Sequence, residues 1–166
     1  MVGGQRSAED GRTDAELIAA AQGGDARAAE ALLVRYEHEL DPVVARRARH
    51  IVEENARVLA AETALSRGDL DAVGRLFAAS HASLRDLYEV SCPELDVMVE
   101  VAAATPGVIA SRMTGAGFGG CTVSLVRPDA VEALTARIMG DYADRTGCTP
   151  RAWTVRATAG AGIVAD

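Results

Sequence analysis

Ser111-Arg112-Met113-Thr114-Gly115-Ala116-Gly117-Phe118-Gly119-Gly120-Cys121-Thr122-Val123 sets four glycines into seven residues, between two stretches of strand character. Glycine reaches backbone angles closed to other residues, so the loop from Thr114 to Gly120 can turn in ways that β-branched flanks cannot. Successive N–H groups in such a loop can converge on one point and hold an anion such as a phosphate. A wide hairpin turn explains the same letters equally well, and both readings stand at this point. Gly115, Gly117 and Gly120 also spell G-x-G-x-x-G. That fingerprint needs a helix after the loop, with its N-terminus facing a pyrophosphate. Cys121-Thr122-Val123-Ser124-Leu125-Val126 reads as a strand instead, which sets a dinucleotide fold aside.

Working outward, Val108–Thr114 reads as the first strand and 121–127 as the second, with Cys121, Val123 and Leu125 on one face. Asp129 is placed to cap a helix to about Thr146, with Val131, Leu134, Ile138 and Tyr142 at helical spacing and Gly147 as its stop. Over 152–158, Trp153, Val155 and Ala157 alternate with Thr154 and Arg156, which predicts a third strand.

Upstream the character is helical. Ser91-Cys92-Pro93-Glu94 reads as a capping box opening a helix that ends before Thr105-Pro106-Gly107. Asp69 caps a helix to about Ser83, with Val73, Leu76 and Phe77 inward. Asp41-Pro42 opens a long helix to about Ser66, with Ala48, Val52, Leu59 and Thr63 as its inner stripe. Asp25 caps a helix through about His38, with Ala29, Leu32, Leu33 and Tyr36 on one face. Thr13-Asp14-Ala15-Glu16 is a capping box for a helix to Gln22, stopped by Gly23-Gly24. Residues 1–12 and 163–166 read as tails, 13–40 as a helical pair and 41–162 as the main domain. Helices followed by a strand–loop–strand–helix–strand unit make the fold class α+β.

The formal charge of −7 argues against a general nucleic-acid binder. Arg46, Arg47 and Arg49 are a local exception and read as a solvated helix face. Apolar residues make up 49% but aromatics only 4%, so the core must be built from small aliphatic side chains. Three widely spaced cysteines, Cys92, Cys121 and Cys148, suit neither a disulfide framework nor zinc. A reduced, cytoplasmic setting follows, with no membrane span, no secretory leader and no candidate metal ligands.

Three ordered motifs resemble the C-terminal region of galactokinases, within the GHMP kinase superfamily. They are Arg47-Ala48-Arg49-His50-Ile51-Val52-Glu53-Glu54-Asn55-Ala56-Arg57; Ser80-His81-Ala82-Ser83-Leu84-Arg85-Asp86 with Tyr88-Glu89-Val90-Ser91-Cys92-Pro93-Glu94-Leu95-Asp96; and the glycine segment quoted above. The resemblance runs over about 40–162. It implies ATP- and Mg2+-dependent phosphorylation of galactose at its anomeric hydroxyl, and a ferredoxin-like C-terminal domain. It also implies that Thr114, Gly115, Ala116, Gly117, Phe118, Gly119 and Gly120 lie near the phosphates. Ala116 stands where galactokinases usually carry glycine, so a positive φ there would be strained.

The resemblance equally implies what is missing. The sugar-recognition motif, the phosphate loop and the catalytic Asp with its Arg partner precede the matched region, and residues 1–40 contain none of them. No catalytic residue is therefore nominated, and the chain is expected to be inactive alone. The family's central strand is also absent, leaving strands 121–127 and 152–158 to flank an open slot or to close as a parallel pair. A separate N-terminal kinase half is the partner this implies, and a non-catalytic sugar- or nucleotide-binding module is the alternative. Thr13–Ile18, Gly24–Leu32 and Tyr36 resemble the opening of region 2 in extracytoplasmic-function sigma factors, without that family's promoter-melting helix or helix-turn-helix. His50 and His81 read as packing positions, Arg85, Asp86 and Glu89 as a structural ion network, and Arg112 as either a phosphate contact or a cross-strand ion pair.

Overall fold

The computed structural model describes residues 11–157; the two terminal tails read from the sequence fall wholly or mostly outside them. Helices α1 (Asp14–Gln22), α2 (Ala26–Tyr36), α3 (Pro42–Arg67), α4 (Leu70–Asp86) and α5 (Pro93–Ala103) precede strands β1 (Val108–Thr114) and β2 (Cys121–Val126). A final helical stretch comprises α6 (Val131–Arg137), a wide π turn over Ile138–Tyr142, and α7 (Ala143–Thr146).

The starts and stops follow local chemistry. Thr13 accepts from the Glu16 amide while the Glu16 carboxylate takes the Thr13 amide, which closes the capping box. Asp25, Asp41 and Asp69 each accept from first-turn amides, and Pro42 fills the first helical position of α3. Gly68 ends α3 with φ 69°, a left-handed cap that a β-carbon would disfavour. At α5 the expected box does not form. Cys92 is the cap residue without a side-chain bond, and the Ser91 hydroxyl donates to Asp96 at 2.6 Å instead.

The sheet is an antiparallel pair, with Arg112 opposite Val123 and Thr114 opposite Cys121. Its register slips between Val108 and Ala110, so neighbouring residues serve two different cores. Val108 and Val126 pack with Val101, Ala102, Leu134, Ile138 and Tyr142 from α5 and the last helical stretch. Ala110 and Leu125 pack with Ala64, Val73, Leu76 and Phe77 from α3 and α4. Cys121, Val123 and Leu125 keep the expected common face, opposite Thr114, Arg112 and Ala110, but only Leu125 of the three reaches a core. Cys121 and Val123 are exposed. The i, i+4 spacing of Leu134, Ile138 and Tyr142 drifts around an α-helix, and the wider π turn offsets that drift and keeps all three buried.

Three further expectations need correction. Asp129 caps nothing; it lies in a 3-10 turn, Pro128–Ala130, whose cap has no side-chain bond. Leu59 and Thr63 of α3 face solvent, while His50 and Ala64 are buried. The inner face of α3 is polar, so a search for apolar residues picked the wrong side. The third strand does not form: 151–157 is irregular, with Trp153 72% and Val155 80% exposed. Alternation makes a strand only where a neighbour accepts its ladder bonds. Among the described residues this segment has no such neighbour, and β2 pairs with β1 alone. The α+β class stands, with two strands among the described residues.

Candidate functional site

The glycine loop sits at the tip of the β1–β2 hairpin, and a polar cluster fixes the strand that leads into it. Glu54 of α3 is the hub. It accepts from Ser80 at 2.5 Å, from Arg57 Nε at 2.7 Å and from Arg112 Nη1 at 3.0 Å. Arg57 also donates to Ser83 Oγ at 2.9 Å, and His50 Nδ1 lies 2.9 Å from that same hydroxyl. Burial pushes the Glu54 carboxyl up, but the Ser80 hydroxyl and the Arg57 and Arg112 guanidiniums more than offset it, so its pKa lies below the ordinary value.

His81 adds a second tie. The Met113 amide donates to its Nδ1 at 3.3 Å, which leaves the proton on Nε2. Nε2 lies 3.1 Å from Asp96 Oδ1 without forming a hydrogen bond. Burial holds the pKa of both His50 and His81 below the ordinary histidine value, which favours the neutral ring. Arg112 thus makes an ion pair to α3 and not the cross-strand pair that the sequence offered, since Val123 stands opposite it. Both histidines are structural, as the sequence suggested.

Within the loop, Gly115, Gly117, Gly119 and Gly120 have φ of 91°, 86°, 122° and 106°. Ala116 is not left-handed, so alanine fits there without strain. Phe118 is left-handed at 58° and 77% exposed. Thr114 closes the strand pair. Among residues 115–119, Phe118 is the amide spent on the protein's own backbone, donating to Val90 O at 2.7 Å. A β-carbon at Gly115, Gly119 or Gly120 would meet nothing within 4 Å, whereas one at Gly117 would lie 2.2 Å from Val90 O. The loop is therefore pinned at one side and open at the other, with backbone donors left for an anion.

The sequence reading missed the turn that does the pinning. Glu89 is left-handed at φ 55°, and its carboxylate takes Arg46 at 3.3 Å and Arg47 at 2.6 Å. Arg47 further donates to Leu87 O and lies over the Tyr88 ring. Arg49 pairs with Glu37. The arginine cluster is therefore a set of tertiary ties and not a solvated face. A glutamate gives no letter-level hint of a positive φ, so no local signal marked this turn.

A cavity of about 260 Å3 between α4, α5 and β1 is lined by His81, Asp96, Val99 and Ile109 among others, and by no residue of the glycine loop. Among the described residues no three His, Cys, Asp or Glu side chains converge to hold a metal ion, and no helix is long and apolar enough to cross a membrane.

Residues 61–143 match the family model described as GHMP kinases C terminal, which is half of the chain. The chain belongs to this family. The GHMP kinase C-terminal match takes in α4, α5, the hairpin and the glycine loop, and of α3 only its last turns. Curated relatives include galactokinases of Chloroflexus aurantiacus, 52% identical over 131 residues, and of a Roseiflexus strain, 47% identical over 134. These alignments cover 79% and 81% of this chain but 33% and 34% of the relatives, so the chain spans about a third of their length. A crystal structure of Lactococcus lactis galactokinase complexed with galactose superposes with a TM-score of 0.64 at 45% identity, over 66% of this chain and 28% of that one. The chain is thus a galactokinase-type GHMP C-terminal domain.

Proposed function

We propose that this domain works in ATP-dependent phosphorylation of galactose, and that the loop 114–120 contributes backbone N–H groups other than that of Phe118 to the phosphates. The observation that carries this reading is the run of left-handed residues at the hairpin tip, with Phe118 alone tied back and the other side open. Left-handed turns aim successive amides into one concavity, which suits phosphate oxygens. Phosphoryl transfer also needs charge neutralisation by metal and cationic groups, and a residue that takes the acceptor's proton. The described residues do not fit Mg2+, since no carboxylate set converges among them. Glu54, Arg57 and Arg112 are committed to one another. The reading assigns the metal, the proton acceptor and the sugar site to polypeptide that covers the rest of the relatives' length. The unpaired edge of β2 and the exposed apolar residues of 151–157 support a further strand entering from that polypeptide. It also keeps the cytoplasmic setting where ATP is available.

The test is a coupled assay for ADP formed from ATP and galactose. The purified chain alone is expected to give none. Mixing it with the N-terminal two-thirds of the Chloroflexus relative is expected to restore turnover. Turnover by the chain alone would overturn this division of labour, and a mixture that folds, associates and stays silent would overturn the assignment to galactose phosphorylation.

A further inference from the structure

We infer that Glu89 is a positioning residue for the glycine loop, acting through the turn that follows α4; the inference rests on the phosphate reading of 114–120. The two non-glycine residues with left-handed backbone among the described residues are Glu89 and Phe118, at φ 55° and 58°. Each such residue costs on the order of 1–3 kcal/mol and persists only where its surroundings over-determine it. The two are joined. Glu89 is held by Arg46 and Arg47 of α3. The next residue, Val90, offers its carbonyl to the Phe118 amide at 2.7 Å. Gly117 packs so closely on that carbonyl that no β-carbon could stand there. The neighbouring bonds have the same effect: Val90 N donates to Leu84 O at 3.0 Å, and Arg47 Nη1 donates to Leu87 O at 2.8 Å. The chain of contact runs from two arginines through a left-handed glutamate to one carbonyl, and from that carbonyl to the two loop residues that set the direction of the remaining amides.

A charge argument and a positioning argument predict opposite signs here. Removing a carboxylate near an anion site strengthens anion binding if charge alone matters. Removing a clamp weakens it, because the donors must then be ordered by the ligand. Exposed ion pairs contribute little to global stability, so the effect is expected to be local to the loop.

The experiment uses the full chain labelled for amide detection, with inorganic pyrophosphate as the probe. In the unaltered chain pyrophosphate is expected to shift the amides of 115–120. In Glu89→Gln, amide exchange at Phe118 is expected to speed up at least fivefold, with Arg112 and Val123, which face each other in the hairpin, unchanged, and pyrophosphate affinity to fall at least threefold. Glu89→Asp restores part of both, and Arg46→Gln, which breaks one of the two ion pairs, gives a smaller change in the same direction. Exchange at Phe118 within twofold of the unaltered chain, or tighter pyrophosphate binding in Glu89→Gln, would overturn the clamp. Equal acceleration across the whole hairpin would overturn it as well. Loop amides of the unaltered chain that ignore pyrophosphate would instead overturn the phosphate reading beneath it.

Discussion

Replacing Gly117 by alanine tests the loop's geometry most directly. The new β-carbon would lie 2.2 Å from Val90 O and 2.8 Å from Val90 Cβ, at a backbone φ of 86°. A left-handed non-glycine residue costs about 1–2 kcal/mol. Relief of the overlap drives the loop away from Val90 and breaks the Phe118–Val90 hydrogen bond, a further loss of about 0.5–1.5 kcal/mol. The alanine also stiffens the unfolded chain, which returns about 0.4–1 kcal/mol. The net loss is roughly 2 kcal/mol. Gly115→Ala is the control. It carries the same left-handed cost, at φ 91°, but meets nothing within 4 Å. Its net loss is about 1 kcal/mol or less. Urea titration followed by circular dichroism reads both variants. With a slope of about 1–3 kcal/mol per molar for a small protein, Gly117→Ala is expected to lower the midpoint by about 1 M, and by about twice the fall in Gly115→Ala. Equal midpoints for the two variants would refute the close approach of the loop to Val90, and with it the pinned-and-open description of the site.

Three more outcomes follow from the same structure. Glu54→Gln takes the closer of its two carboxylate partners from Arg57, whose side chain is only 14% exposed, and leaves it the Glu53 pair at 3.2 Å; the loss is expected to be about 1–3 kcal/mol, below that of a buried ion left wholly unpaired, and a thermal melt showing no loss would contradict the hub role. Burial depresses the pKa of His50 and His81 below about 6.5, so the unfolded chain binds more protons than the folded one as pH falls; stability present above that value is expected to decline from pH 7.5 to 5.5, with a shallower decline in His81→Gln, and a flat urea midpoint over that range would count against neutral buried rings. Gly74→Ala puts a β-carbon 2.5 Å from Ile109 O; overpacking of about 1–3 kcal/mol is expected to outweigh the helix-propensity gain of about 1 kcal/mol, so a variant that unfolds at higher urea would refute the tight seating of α4 on β1.

How much of this was legible beforehand varied with the range of the forces involved. Helix starts at Thr13, Asp25, Asp41 and Asp69 and stops at Gly68 and Gly147 are local hydrogen-bonding events, and the structure places them where the letters do. The hairpin strands were also readable, because β-branched runs flank a glycine cluster. The α3 stripe was misread because that helix turns His50, Glu54 and Arg57 inward and leaves Leu59 out. Periodicity detects apolar faces, and a buried polar face carries no such signal.

What the amino-acid order determined alone, then, was where most helices start and stop and where the glycine loop lies, since each rests on contacts within a few residues. Tertiary structure decided the rest. It left Trp153 and Val155 exposed because a strand exists only beside a partner. It turned Arg46 and Arg47 from a presumed surface patch into the grip on Glu89, 43 and 42 residues away in sequence and within hydrogen-bond reach in space. It made Gly117 costly to replace through Val90, a neighbour that only folding brings to it.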